Sequence, residues 1–400
     1  MSANSTHDTT ASRPRVLQCI TRLGLGGAEA VAFSLVRGLR REFEFAVFAV
    51  RGVEDSEIGR AMRQELADLG VPLFSGPKLP IKLGGMVLAG LRAAQVARQF
   101  QPDLTHLHTE IPESAHASMV ALRPRCANGA LVRTIHNSVY WHFWPRLGRW
   151  CERRMTRSHV AAVSDDARAA FELHRKNSGA GPLPTPPVTI YNGVEVPLRS
   201  PPQPRTPNER LRILFAGRFE LQKGTDLLPQ ILAQVNPPAP GCELVLHGSG
   251  THEHLLKSLA QRPPTGWTIC VLPAIADLRE RMAEFDLVIM PSRFEGLGLV
   301  AVEAALIGLP VVTTDAPGLF EALPPDYPWR ARPGDAAGFA RGLQRALDER
   351  ASWPAVTQRA GEFARKRFDV ATMLAAYAQL YRSARRELTV AGSPDSVPPS

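Results

Sequence analysis

The sequence predicts an α/β protein of two doubly wound domains, each a parallel sheet covered by helices on both faces, set against each other across a cleft. Apolar runs of five or six residues alternate with amphipathic stretches of helical period along most of the 400 residues, the pattern of βα units whose strands are buried on both sides. One proline-dense segment near the middle, VPLRSPPQPRTPNER, has almost nothing to bury and reads as a linker. Several strands run directly into glycine turns that open helices, which is where ligands of such sheets bind.

Composition narrows the class. With 44% hydrophobic and 21% charged residues, the chain is an ordinary globular one, long enough for two separate cores. No run of about 18 apolar residues occurs, and the amino terminus MSANSTHDTTASRPR has no apolar core of a secretory signal, so a cytoplasmic protein is expected. The five cysteines are widely spaced without a CxxC pair, which argues against a disulfide framework or a zinc site. A net charge of +9 implies attraction to polyanions. Nucleic acid is the weakest of these, because no recognisable nucleic-acid module is present.

Taken in order, residues 1–13 form a polar tail expected to be disordered, and 14–195 the first domain. Val16–Ile20, Phe45–Val50, Leu104–Leu107 and Leu131–Ile135 read as its strands. The turn TRLGLGGAEA after the first strand offers Gly24, Gly26 and Gly27 for close backbone approach. It is not a dinucleotide fingerprint, because Glu29 stands where the third glycine belongs and the second strand ends in Arg51 rather than an acid. A nicotinamide oxidoreductase is therefore a rival reading from another class. His136 lies directly beyond a strand, where a side chain reaches the cleft, whereas His106 and His108 read as core or rim residues. From Trp144 to Arg157, two stripes run at helical spacing. Trp144, Leu147, Cys151 and Met155 are apolar; Arg146, Arg149, Arg153 and Arg157 form a basic stripe offset by two residues, hence on the opposite face. Such a face can dock on anionic lipid headgroups, which would make the protein peripheral on the inner face of the cytoplasmic membrane; a solvated surface is the plainer alternative.

Residues 196–210 are the linker and 211–365 the second domain, with strands at Ile213–Ala216, Leu244–His247, Thr268–Leu272, Leu287–Met290 and Val311–Thr313. In GRFELQKGTD, Arg218 and Lys223 are two cations at a strand-to-helix turn, suited to a leaving diphosphate, with Thr225 placed to cap the next helix. A P-loop is excluded by Gln222 and Gly224, which replace its second glycine and its Ser or Thr. HGSGTHEHLL places Gly248 and Gly250 at another such turn, with Thr251 as a candidate helix cap. PSRFEGLGLVAVEAALIGLPVV sets Glu295 and Glu303 eight residues apart across a glycine turn and the helix it opens. A carboxylate can accept from both hydroxyls of a vicinal diol, and the backbone NH groups of Gly296, Leu297 and Gly298 with the helix amino end suit phosphate. A helix over 366–388, with Met373, Leu374, Tyr377 and Leu380 as its apolar stripe, and a polar tail over 389–400 close the chain.

This last block, with DLVIMPS ahead of it, resembles the donor-site signature of glycosyltransferase family 4, whose members have the GT-B fold of two Rossmann-like domains. The resemblance implies an acceptor-side first domain, a nucleotide-sugar donor domain second, and a last helix that packs back across the first. It assigns the diphosphate to Arg218 and Lys223, the ribose to Glu303, and the sugar hydroxyls to Glu295 with Gly296, Leu297 and Gly298. Gly248 would lie on the loop against base and ribose, Gly26 and Gly27 against phosphates and acceptor, and His136 near the transferred sugar. TTDAPGLFEAL departs from the family pattern at Pro317, where a glycine is common.

The expected function is transfer of a hexose from a UDP- or GDP-sugar, with retention of configuration, to a cell-surface polysaccharide or lipid-linked saccharide. The chain has no D-x-D triplet to hold a metal against the diphosphate, so metal-independent transfer without a cofactor is expected. A non-catalytic nucleotide-sugar binding module is the other alternative.

Overall fold

In the computed structural model the described residues are 12–24, 26–77, 79, 84–195, 209–275 and 278–391. The expected linker, apart from Glu209 and Arg210, and most of both tails lie outside them.

The first domain contains β1 (Arg15–Ile20), α1 (Gly27–Leu39), β2 (Glu44–Ala49), α2 (Glu57–Asp68), β3 (Leu73–Ser75), α3 (Gly85–Phe100), β4 (Leu104–His108), α4 (Glu110–Leu122), β5 (Ala130–Ile135), α5 (Pro145–Glu152), β6 (Ser158–Ala162), α6 (Asp165–Lys176) and β7 (Val188–Thr189). Its sheet runs β3-β2-β1-β4-β5-β6-β7. The second contains β8 (Leu211–Ala216), α7 (Leu228–Leu232), β9 (Cys242–His247), α8 (Glu253–Gln261), β10 (Trp267–Leu272), α9 (Leu278–Arg281), β11 (Leu287–Met290), α10 (Leu299–Leu306), β12 (Val311–Thr314), β13 (Arg330–Ala331), α11 (Ala336–Asp348) and α12 (Trp353–Arg367), and its sheet runs β10-β9-β8-β11-β12-β13. The strand pairs in both sheets are parallel. The order reverses between β1 and β4 and between β8 and β11, and loops leaving adjacent strands there diverge to opposite faces and open a crevice.

The central strands are legible because they are buried on both faces: Val16, Ile20, Ile213, Leu244 and Val288 have no exposed surface. The unpredicted strands are short ones at or near sheet edges, β3, β6, β7 and β13. In β6 the polar Ser158 and His159 are buried, each with a hydrogen-bond partner (Ser158 Oγ to the Met155 carbonyl; His159 Nδ1 with Thr185 Oγ1), so the apolar part of the strand shrinks to residues 160–162, shorter than the runs that mark the central strands.

α13 (Val370–Ala391) packs against the first domain. Met373, Tyr377, Ala378 and Tyr381 share one core with Val31, Val36 and Val132, and Gly38 sits so close to Leu374 that a Cβ there would fall 2.3 Å from it.

The long basic helix does not form. α5 ends at Glu152, because that carboxylate is drawn into the core by Arg133 and Arg175 and the chain must turn to enter β6. Only Arg146 and Arg149 share the helix; Arg153 follows its end and gives its Nε to the Ser178 carbonyl at 2.9 Å, and Arg157 stands exposed just before β6. Trp144 lies before the helix and is 37% exposed, so it is not part of an apolar face. Among the described residues no helix is long and apolar enough to cross a membrane.

Candidate active site

The loop after β11 is the centre of the site. Lys223 Nζ stands 2.6 and 2.7 Å from the two carboxylate oxygens of Glu295, and Ser292 Oγ donates to Oε1 at 2.7 Å. Glu295 is only 5% exposed, so this ammonium offsets a carboxylate that would otherwise be buried unpaired. Arg218, on the loop after β8, is exposed and donates to Gln222 Oε1 at 2.8 Å; Gln222 Nε2 in turn donates to the Phe294 carbonyl at 3.2 Å. The two loops that flank the β8/β11 switch point are thereby stitched together, with Lys223 on Glu295 and Arg218 joined through Gln222 to the neighbouring Phe294 carbonyl.

Glu303 lies about one turn along α10, largely buried, and accepts from Arg279 Nη2 at 3.2 Å. Burial pushes its carboxyl above the usual range, and Arg279 works against that shift. Gly298 begins α10 in the left-handed region, φ +75°, which favours glycine. Gly296 is required for another reason: a Cβ there would lie 2.1 Å from the carbonyl oxygen of His136, so the turn presses backbone to backbone on the first domain.

The domains meet at this point through polar contacts. Ser138 donates to the Glu295 carbonyl through its N at 3.1 Å and its Oγ at 2.7 Å, and Gly318 N donates to Asp166 Oδ2 at 2.7 Å. Glu321 accepts from the backbone N of Asp165 and of Asp166, each at 2.9 Å, capping α6 from the opposite domain, and from Tyr191 Oη at 2.8 Å. Such a cap adds a carboxylate to the positive end of a helix. His136 is therefore held over the Glu295–Gly298 turn, and burial pushes its imidazole down to about 3, which keeps it neutral at ordinary pH.

Gly27 opens α1 and faces the second domain: a Cβ built on it would meet Leu299 Cδ1 at 3.7 Å, at the start of α10. Gly26 precedes the helix in extended backbone that any residue adopts, yet a Cβ would fall 2.0 Å from Glu29 Oε2. Glu29 folds back over the turn; burial raises its carboxyl to about 7, while backbone N–H groups of Glu29 and Arg22, and Arg218 across the cleft, pull it down. Gly248 is closely packed, since a Cβ there would lie 1.9 Å from the Gly217 carbonyl. Neither threonine cap forms. Thr225 Oγ1 pairs with His252 Nδ1 at 2.8 Å, and Thr251 Oγ1 donates to Glu220 Oε2 at 2.8 Å, so both tie the two turns together instead.

Arg218, Lys223, Glu295, Gly296, Leu297, Gly298 and His136 are thus on connected loops of one cleft, with Glu303 on the helix α10 that the last of these loops opens and Gly26 and Gly27 on the far wall. The four arginines of the basic stripe take no part in it. Sequence reasoning missed Ser292, Ser138, Arg279 and Glu321. Ser292 lies inside the quoted motif and could have been found there; the others act across 24 to 157 residues of sequence and leave no local pattern.

Comparison with known proteins agrees with this geometry. A glycogen synthase of Mycobacterium tuberculosis is 28% identical over 327 residues, 75% of this chain and 74% of its own, and a putative glycosyltransferase, EpsF, of Bacillus subtilis is 25% identical over 76% of this chain and 80% of its own. In fold, the chain is similar to Anabaena HepE, solved in complex with UDP-glucose, with a TM-score of 0.74 at 22% identity over 92% of this chain and 99% of that one. It is similar also to the sucrose-phosphate synthase of Thermosynechococcus elongatus, with a TM-score of 0.72 at 18% identity over 95% and 100%. Residues 25–198 match the family described as Glycosyltransferase Family 4 and residues 199–367 match Glycosyl transferases group 1. Taken with the two parallel-sheet domains and the cleft between them, these matches show that the chain belongs to glycosyltransferase family 4 and has the GT-B fold.

Proposed function

We propose that the chain transfers a hexosyl group from a UDP- or GDP-sugar, with retention of configuration, to a hydroxyl of a growing cell-surface polysaccharide or a lipid-linked saccharide. The observation that carries this reading is the Lys223–Glu295 pair, linked through Gln222 to Arg218 and roofed by the His136 loop. Arg218 and Lys223 brace the diphosphate and stabilise the charge that builds on it as the bond to the anomeric carbon breaks. Glu295 accepts from sugar hydroxyls, the backbone N–H groups of Gly296, Leu297 and Gly298 lie against the same end of the donor, and Glu303 takes the ribose diol. The acceptor oxygen bonds to the anomeric carbon on the face the phosphate leaves, and its proton passes to a phosphate oxygen. No side chain needs to act as nucleophile. Because two fixed cations meet the diphosphate, the reaction requires no metal ion. HepE, solved with UDP-glucose, supports uridine as the base. Arg146 and Arg149, with the exposed Phe143 and Trp144 beside them, would hold the protein peripherally on an anionic membrane face.

The test is incubation with UDP- and GDP-hexoses, with and without EDTA, reading release of nucleoside diphosphate. Release with one base, unchanged by EDTA and lost in Glu295→Ala, is expected. Binding without release would make the chain a nucleotide-sugar binding module.

A further inference from the structure

Beneath His136 a run of hydrogen-bonded polar side chains is buried among the strands of the first domain. His136 Nε2 lies 2.9 Å from His108 Nδ1, and His108 Nε2 lies 2.7 Å from Gln18 Oε1. Gln18 Nε2 donates to Tyr381 Oη at 2.9 Å, and that hydroxyl lies 2.7 Å from His106 Nδ1. Gln18, His106, His108 and Tyr381 have no exposed surface. Polar groups at such a depth are tolerated only when each finds a partner, and this chain of bonds satisfies them in sequence.

The chain also has a direction. A neutral imidazole carries one proton, so one of its nitrogens donates and the other accepts. Burial pushes His108 well below the usual histidine range, as it does His136, so both rings are neutral. Gln18 turns its carbonyl oxygen to His108, and an oxygen can only accept. The proton of His108 is therefore on Nε2, and Nδ1 carries the lone pair. His136 Nε2 must be the donor to it. His136 Nδ1 is left as an acceptor, and it has no hydrogen-bond partner among the described residues.

We propose that His108 is a positioning residue which, held by Gln18, fixes His136 as the Nε2–H tautomer, so that the site offers the transferred sugar a hydrogen-bond acceptor and selects neutral hexosyl donors over hexuronosyl ones. The inference rests on reading the cleft as a nucleotide-sugar site. A sugar hydroxyl can donate to His136 Nδ1. A carboxylate has no proton to give at neutral pH and would set its charge against the nitrogen lone pair, an element of rejection rather than of weaker attraction. Tyr381 belongs to α13, so the helix that crosses back over the first domain supplies a link in the same chain of bonds.

The test uses the full chain with ¹⁵N-labelled histidine. Two-bond proton–nitrogen correlations on the ligand-free protein are expected to show His108 and His136 both protonated at Nε2. Competition binding with UDP-glucose and UDP-glucuronate is expected to favour UDP-glucose by about tenfold or more, the scale of one lost hydrogen bond. In His108→Leu that preference should fall toward unity, with KM raised more than kcat is lowered. A proton on His136 Nδ1, which a reversed chain with the Gln18 amide donating to His108 would produce, overturns the proposal. So does UDP-glucuronate binding as tightly as UDP-glucose. If His108→Leu does not fold, the tautomer of the unaltered protein decides the matter. Failure of both nucleotide sugars to bind would count against the donor site itself, and the tautomer, read without ligand, tests the positioning claim in that case too.

Discussion

Lys223→Ala is expected to lower kcat/KM by about 10³-fold, equivalent to about 4 kcal/mol of transition-state stabilisation. Two effects combine in that figure. In the proposed mechanism the ammonium is one of two fixed cations set against the departing diphosphate, and a preorganised charge at the point where negative charge develops is worth several kcal/mol. It is also the partner of Glu295, whose carboxylate is only 5% exposed and would keep, among the described residues, Ser292 as its one remaining side-chain donor. The orphaned carboxylate would then turn toward solvent and away from the position it holds beside Ser292. Because both effects run through one ion pair, the double variant Lys223→Ala/Glu295→Ala should be less impaired than the product of the two single losses. Steady-state kinetics of the four proteins check this; strictly multiplicative losses would mean that the pair does not act as a unit.

The second large effect concerns the support of the His136 loop. Arg133 has no exposed surface and lies between two buried carboxylates, with Nε 3.0 Å from Glu113 Oε1 and Nη2 bonded to Glu152 and to Tyr140 Oη. Glu113 also accepts from Tyr140 Oη and from Trp141 Nε1 at 3.2 Å, so the cluster anchors the segment that follows His136. Trp141 holds φ +54°, a conformation that a bulky residue keeps only when its surroundings impose it. Arg133→Met removes the shared cation and leaves two facing carboxylates in the core, for a loss of about 3–5 kcal/mol and a melting temperature lower by on the order of 10 °C. Burial already raises Glu113 to about 7, with Arg133 opposing the rise. Without Arg133 it rises further. A carboxyl whose folded pKa exceeds its unfolded value stabilises the fold while it is protonated, and that contribution is lost as pH rises through the folded pKa. The variant should therefore be more destabilised at pH 8 than at pH 6. Thermal melts at the two pH values test it, and an equal loss at both would place Glu113 in the ionised form throughout.

The difference between what the sequence announces and what it conceals has a physical basis. β1, β4, β8 and β11 are central strands, buried on both faces, so continuous apolar runs mark them and place the loops at their carboxyl ends. Arg218, Lys223, Glu295 and Glu303 are legible because each sits on one of those loops or on the helix it opens. The basic stripe was over-extended because helical spacing persists past Glu152 by coincidence; what ends the helix is the pull of Arg133 and Arg175 on that carboxylate, which comes from β5 and α6. The contacts that join the domains are equally hidden. Ser138 to Glu295, Asp166 to Gly318 and α6 to Glu321 span more than 150 residues each, and no local pattern distinguishes these residues from other polar loop residues. Gly296 is an intermediate case. Its motif marks it as a turn glycine, but only the approach of the His136 carbonyl explains why no side chain fits.

The central claim is that Arg218 and Lys223 form the diphosphate seat of a nucleotide-sugar site. Isothermal titration of UDP and of GDP into the unaltered protein and into Arg218→Ala/Lys223→Ala tests it most directly. One nucleoside diphosphate should bind the unaltered protein and lose about 100-fold or more in affinity, some 3 kcal/mol, in the double variant. Equal affinity in the two proteins, or no binding of either nucleotide to the unaltered one, would contradict it.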